Sequence, residues 1–378
     1  MHQIIFYPVG NGDTSQIILE NGKRILFDFR HIKSSENGNG PEINLQEQIR
    51  EELKSENRDY IDVLAFTHSD KDHIENSTEF FELQHAPKYQ GNGRIKVNEL
   101  WVPAAMVLEV ATNDEQSDEF VIWRQEARYR LREGEGIRVF SKPDRLKQWL
   151  EENGLSVESR RHLITDAGQI VPGFSLNLDG VEFFCHSPFM TQVDQGDIFR
   201  NEAALILNVR FSVGGNTFDY LAVGDSTWEI ISDIVAISNA NLNADRLNWD
   251  LFNIPHHCSY QALSDKKGET ETKPKPFVEE LLLHGKEGAH LVSSSNPIED
   301  TDAGRNQALP PHIQAKKCYQ RYLRNNRGGR FLVTMEEPNT KKPEPIVFNI
   351  GVSGITRKKS ILPASAIITS NPAPRAGS

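Results

Sequence analysis

The densest run of side chains able to do chemistry is Thr67-His68-Ser69-Asp70-Lys71-Asp72-His73. It follows directly on Ile61-Asp62-Val63-Leu64-Ala65-Phe66, an apolar stretch that reads as a buried strand. A strand end gives a rigid base, and the loop beyond it can turn several side chains toward one point. Two imidazoles and two carboxylates at this spacing suit one or two divalent cations. The bland alternative is a solvated polar turn, but ligand-type residues recur after other strands: Asp225 closes Leu221-Ala222-Val223-Gly224, and His256-His257 follow Leu251-Phe252-Asn253-Ile254-Pro255. His186 ends the apolar run Val181 to Cys185 and is a further candidate to face the site, although a lone histidine there is more often structural. Gly10, Gly12 and Asp13 invite a phosphate-loop reading, yet no Gly-x4-Gly-Lys-Ser/Thr pattern is present and a β-turn is the simpler account. No Gly-x-Ser-x-Gly element supports a serine hydrolase.

The elements that must hold these residues alternate between strand and helix. Gln3 to Gly10, Ser15 to Glu20 and Lys23 to Phe29 read as a strand meander with a turn at Asn21-Gly22. Leu45, Ile49 and Leu53 recur at four-residue spacing and predict a helix over Asn44 to Lys54. Strands are expected at 97–103, 181–188, 203–212, 218–225, 250–257, 289–295 and 330–336, with helices over Pro276 to Leu283 and Ile313 to Leu323. The charged, helical stretch 105–170 reads as an insertion or lid on a hydrolase domain spanning 1–352. Residues 353–378 read as a flexible tail. Such alternation places the chain in the mixed α/β class.

With 378 residues, 38% hydrophobic and 25% charged, the chain can bury a full core without staples. Cys185, Cys258 and Cys318 form no CxxC pair and read as buried free thiols. No apolar run is long enough for a membrane-spanning helix and no secretory signal opens the sequence, so a cytoplasmic protein without membrane association is expected. The net charge of −11 opposes binding of long duplex nucleic acid unless Lys and Arg are concentrated locally. Arg124 to Arg138 and Lys316 to Arg330 are the two candidate patches, each more simply a solvated helix face.

Taken in order, these motifs resemble those of metallo-β-lactamase-fold hydrolases. Thr67 to His73 resembles their His-x-His-x-Asp-His signature with Asp70 in place of the second His; Leu221 to Asp225 resembles the strand ending in the bridging Asp; and Asn253 to Ser259 resembles the last histidine motif. Pro8 to Phe29 is similar to the opening hairpin that ends in a supporting Asp, here Asp28. Within the superfamily the chain looks most like the ComEC-type hydrolase domain of late-competence DNA-uptake proteins. The shared features are His-x-Asp-x-Asp-His, an Asn-led strand (Asn201) in place of a third histidine motif, and His-His before Ser259; the later Ser293 to Pro297, His312 and Tyr319 to Thr334 also look like this branch. Cys258 replaces the usual Gly, and Ala203 or Ala204 stands where a hydroxyl residue often follows the Asn. Such changes behind the ligands can alter metal affinity about 10- to 100-fold.

The resemblance implies a four-layer αββα sandwich with two divalent ions at one edge, Mn²⁺ or Zn²⁺, with Mg²⁺ a third candidate. It implies His68 and Asp70 on one ion, Asp72, His73 and His257 on the other, and Asp225 on both, with His256 the competing choice for the last imidazole. Asp28 would orient a ligand from behind, and Asn201 would line the site or hold substrate. The implied chemistry is attack by a metal-bridging hydroxide, with Asp72, Asp225 and Asn201 as catalytic groups, on a phosphodiester of DNA or a nucleotide-like molecule. Hydrolysis of a thioester, lactone or lactam is the alternative on the same fold, and a non-catalytic metal-binding adaptor is the third reading.

Overall fold

A computed structural model describes residues 1–109, 117–189, 204–324 and 328–358. The chain opens with β1 (His2–Phe6), β2 (Ser15–Ile18), β3 (Arg24–Phe27), β4 (Tyr60–Ala65), β5 (Lys96–Pro103), β6 (Ile137–Phe140) and β7 (Ile164–Thr165). It then forms β8 (Val181–Ser187), β9 (Ile206–Val213), β10 (Asn216–Val223), β11 (Trp249–Asn253), β12 (Gly285–Ser293) and β13 (Phe331–Val333), and ends with β14 (Ile346–Gly351) and β15 (Gly354–Arg357). The first sheet has the order β15-β14-β1-β2-β3-β4-β5-β6-β7 and the second β13-β12-β11-β10-β9-β8.

Strand alternation explains how these sheets stack. Phe27, Ala65 and Trp101 of the first sheet face Leu207, Tyr220, Ala222, Leu251 and Val292 of the second, forming a core between the sheets. Leu26, Leu64 and Leu100 point the other way, onto the helices Leu45–Ser55, Asp118–Glu133 and Asp144–Glu152. Leu221, Phe252 and Leu291 likewise pack on the helices Trp228–Ala240, Pro276–Leu283 and Ile313–Arg324. The result is the four-layer αββα sandwich that the resemblance implies. Asn44 caps the first long helix by accepting from Glu47 N. Among the described residues, no helix is long and apolar enough to cross a membrane.

Two expectations are corrected. Among the described residues, the 105–170 stretch is part of the sandwich rather than an insertion or lid on it: β6 and β7 extend the first sheet in parallel with β5, while Phe120, Trp123, Ala127 and Leu131 fill its outer core. Its charges misled because they are used internally. The Arg130 guanidinium donates to Glu126 and to the carbonyls of Val97 and Gly136, Arg124 donates to Glu109 O, Arg128 to Val107 O, and Arg138 to Glu99. The sheet also continues past 352, since β15 pairs antiparallel with β14; residues 359–378 of the expected tail lie outside the described residues. A chain ending after Gly351 loses β15 and is therefore expected to melt below one ending after Lys358. Melting curves of the two truncations check this, and equal stability would show that β15 contributes nothing.

Candidate metal centre

The strands β3, β4 and β5 run parallel, as do β10, β11 and β12. Their C-terminal ends gather the loops in which such folds concentrate their chemistry. Asp28 follows β3, His68 to His73 follow β4, Asp225 follows β10, and His257 follows β11. Asp13 enters from the β1–β2 loop. Gly224 is required by close approach, because a Cβ there would lie 2.8 Å from Thr67 Oγ1.

Asp225 is the hub. Its carboxylate lies 3.4 Å from His73 Nε2, 3.3 Å from His257 Nε2 and 3.9 Å from His68 Nε2. Asp72 Oδ2 is 3.1 Å from His257 Nε2, and Asp70 Oδ2 is 3.7 Å from His68 Nε2. The far nitrogen of each ring is tied off. His73 Nδ1 meets Asp28 Oδ2 at 2.7 Å, His257 Nδ1 meets Ser294 O at 2.8 Å, and His68 Nδ1 meets Thr67 Oγ1 at 3.1 Å. Asp28 also accepts from Thr67 N and Thr67 Oγ1, so one buried carboxylate sets both the ring and the loop. An Nδ1–H given to an oxygen behind the ring leaves the lone pair on Nε2, the form in which imidazole binds a metal.

Those lone pairs converge on carboxylate oxygens, an arrangement that repels itself unless a cation lies between. His68 Nε2, His73 Nε2 and Asp225 Oδ1 are buried and have no hydrogen-bond partner. Asp13, His73, Asp225 and His257, all buried, place their ligand atoms within 4.8 Å of one another. The residues thus fit divalent cations.

Without a metal, protons take the cation's place. Burial pulls the His73 and His257 rings down, but the surrounding carboxylates, Asp28 and Asp225 for the first and Asp225 and Asp72 for the second, outweigh it and hold both well above the ordinary value. Burial raises Asp225 and Asp72, yet the same imidazoles hold both carboxyls below the usual range. Burial and the neighbouring His73 lower His68. Asp13 is pushed up to about 6, chiefly by burial, against the pull of the two imidazoles. The imidazole contribution to metal-free stability is complete below the unperturbed 6.5 and lost as pH rises through the raised values; that of Asp72 and Asp225 is present above 3.8 and lost as pH falls through the lowered ones.

It follows that an incoming ion must displace protons from His73 and His257. Calorimetric titration with Mn²⁺ near pH 7, in two buffers of unlike protonation enthalpy, is expected to report release of about two protons per chain, with affinity rising as pH rises. A heat independent of buffer would show rings that carry no proton to lose.

Of the two adjacent histidines, His257 faces the carboxylates. His256 sits at the rim with its side chain 18% exposed and its Nε2 4.0 Å from Asp225. What separates them is backbone: His256, His257 and Cys258 have φ of 51°, 50° and 65°, three successive left-handed residues. That conformation costs roughly 1–2 kcal/mol per non-glycine residue, and sequence spacing alone does not reveal it. His186 does not face the centre. Cys185 points between the sheets, so by alternation His186 points to the opposite face, where it meets Arg246 O at 3.0 Å and Ser238 Oγ at 3.4 Å. Burial lowers it to about 4. Asn201 and Ala203 lie outside the described residues. The three cysteines are buried and free. Asp13, read from the sequence as part of a turn, is brought into the cluster; its place two residues before β2, at the same sheet edge as Asp28, was the available signal.

No protein family and no curated protein matches the sequence. Among solved structures, the chain is similar to a class B3 di-zinc metallo-β-lactamase from an Alaskan soil metagenome, at 10% identity over 85% of this chain and 90% of that one, TM-score 0.32. It is similar to the metallo-β-lactamase GOB-18 from Elizabethkingia meningoseptica at 12% identity over 85% and 86%, TM-score 0.32. A diphosphatase from the PhnP family matches at 12% identity over 83% and 94%, TM-score 0.30. What the site can do chemically follows from its own side chains.

Proposed function

We propose that the protein is a cytoplasmic metal-dependent hydrolase whose substrate is a phosphodiester, in a nucleotide-like molecule or single-stranded nucleic acid. The observation that carries this reading is the convergence of three imidazole Nε2 atoms and the Asp70, Asp72 and Asp225 carboxylates at one sheet edge. His68 and Asp70 would hold one ion, Asp72, His73 and His257 the other, and Asp225 both. Divalent cations there would supply a nucleophile from water at neutral pH and offset the charge that develops on the attacked group. Asp28 and Ser294 O fix the His73 and His257 rings, and Thr67 ties the His68 and His73 loop to Asp28. His256, at the rim, would line the mouth of the site.

The ComEC-type resemblance favours a nucleic-acid or nucleotide substrate over a thioester, lactone or lactam. Size is limited by charge: Arg124, Arg128, Arg130 and Arg138 bond to their own chain, and Lys316, Lys317 and Arg321 pair with Glu336, Asp300 and Glu271. With a net charge of −11, this leaves little to grip a long duplex. The test is a panel of bis-p-nitrophenyl phosphate, linear single-stranded DNA, cyclic dinucleotides and a thioester, each with Mn²⁺ and with Zn²⁺. Turnover confined to the thioester would overturn the phosphodiester reading. Turnover of none, in protein shown to hold metal, would favour an adaptor.

Metal choice should follow the donor set. Asp70 in place of an imidazole makes the first ion's surroundings rich in hard oxygen, which suits Mn²⁺ or Mg²⁺ even where Zn²⁺ binds more tightly. Mn²⁺ is therefore expected to give the faster turnover at saturation, and Asp70→His to move the optimum toward Zn²⁺. Rates of both proteins across metals decide it; equal preference would show that Asp70 does not set the metal.

A further inference from the structure

We propose that Asp13 is a direct metal ligand, binding the ion shared by His73, His257 and Asp225 from the buried side of the centre. This rests on the metal centre inferred above and adds to it a ligand that no motif of the sequence assigns.

The geometry of the carboxylate comes first. Asp13 Oδ2 lies 3.9 Å from His73 Nε2, the ring atom whose lone pair faces the centre. Two donors on one ion can be no further apart than twice the metal–donor distance, about 4.2 Å, so the pair spans an ion as it stands. Asp72 approaches the same position from outside, with its side chain 34% exposed, whereas that of Asp13 is 8% exposed and comes from beneath. The ion would then have Asp72 above and Asp13 below, with His73, His257 and Asp225 around it. Five protein donors, three of them carboxylate, favour a coordination number above four and a hard cation.

The second ground is charge. A buried carboxylate is costly unless a cation or strong donors compensate it. The uncharged donors to Asp13 are weak and few: Asn253 Nδ2, 3.5 Å from Oδ1, and the Ser294 hydroxyl. Among the described residues, the ion-pair partners of Asp13 are His73, at the metal-facing Nε2, and His257, at the rear Nδ1, each 3.9 Å away, and no lysine or arginine. Those rings are the ones that turn their metal-binding nitrogens toward Asp225. A cation at the centre compensates Asp13 as well as Asp225.

The third is the care with which the loop is held. Arg30 Nη1 donates to Val9 O and Asn11 O, and Arg30 N donates to Thr14 Oγ1. Asn11 donates to Pro310 O and accepts from Asn296 N, so the loop is pinned from the second half of the chain as well as the first. A Cβ at Gly12 would lie 2.7 Å from Asp72 O and 2.1 Å from Arg30 Cδ. The glycine lets the turn lie directly against the loop that carries Asp72. A plain chain reversal between β1 and β2 needs none of this, whereas a ligand does, because its oxygen must be set to within a fraction of an ångström.

The test compares metal-free wild type with Asp13→Asn, which keeps shape and removes charge, and with Asp13→Ser, which also removes reach. Affinity for Mn²⁺ is measured by competition with a chromophoric chelator, and the coordination number is followed by the visible spectrum of the Co²⁺-loaded protein. Both variants are expected to bind Mn²⁺ at least about tenfold more weakly and to show stronger Co²⁺ absorption as the coordination number falls. Unchanged affinity and an unchanged Co²⁺ spectrum in the variants, with a wild type that binds metal, would overturn the role of Asp13 and leave the metal centre standing. A wild type that binds neither Mn²⁺ nor Co²⁺ would overturn both.

Discussion

Asp225→Asn is expected to lower the affinity for divalent ions at least about 100-fold and to abolish hydrolysis with them. Changes to groups behind the ligands already cost about 10- to 100-fold, and Asp225 is in front. It is buried, it approaches the Nε2 atoms of His68, His73 and His257, and its Oδ1 has no hydrogen-bond partner to satisfy it otherwise. Asparagine keeps the volume, so the strand end and the close contact of Gly224 with Thr67 are undisturbed. The variant also removes the strongest attraction acting on the His257 ring, so that ring's raised value should fall and fewer protons should be released on metal binding. Equilibrium dialysis with elemental analysis measures the first effect. Two ions bound as tightly as in wild type would place the centre elsewhere.

Asp28→Ala is expected to destabilise the metal-free protein by roughly 3–5 kcal/mol, the cost of breaking a buried, hydrogen-bonded charge pair from one side. Asp28 accepts from Thr67 N at 2.7 Å and Thr67 Oγ1 at 2.6 Å and holds His73 Nδ1 at 2.7 Å, with 1% of its surface exposed. Alanine leaves the Thr67 amide and a charged ring with no acceptor in a buried site. Asp28 also has φ of 54°, which asparagine tolerates well and alanine does not. Asp28→Asn should therefore lose less stability than Asp28→Ala, yet it still loses the charge that holds the His73 ring, so both should bind metal more weakly. Chemical denaturation with chelator present gives the stabilities. An Asp28→Ala protein as stable as wild type would show that the network is not formed.

Much of this was legible because it is local. The apolar run before His68 and the Gly-Asp at the end of β10 each announce a strand edge carrying a ligand, and the four-residue spacing of Leu45, Ile49 and Leu53 marks the helix that forms over Leu45–Ser55. What was not legible depends on distant partners. The run around Arg124 to Arg138 looks like a solvated surface until Glu126, Glu99 and the carbonyls of strand β5 and its neighbours are brought to it. β14 was missed, although its alternate residues Ile346, Phe348 and Ile350 are buried, because the strand it pairs with, β1, lies at the other end of the chain. The helix Trp228–Ala240 was also missed, although Ile230, Ile231, Ile234 and Val235 carry a helical period that a fuller scan finds. The resemblance already put His257 ahead of His256; the three positive φ angles that turn the two rings apart, and the contacts from Asn296 and Pro310 that hold the Asp13 loop, were not readable from spacing.

The centre also lies on a seam. Asp28, His68 and His73 belong to the first sheet's edge, while Asp225 and His257 belong to the second's, and apolar packing joins the two layers beneath them. Bound ions would therefore act as a clasp across the sandwich, tying together segments far apart in sequence by coordination bonds as a disulfide does by a covalent one. Unlike a disulfide, this clasp fastens and releases with the supply of metal and protons rather than with the redox state of its surroundings. The protein's resistance to opening along that seam, and with it the exposure of its central apolar layer, becomes a quantity set by ion concentration and pH.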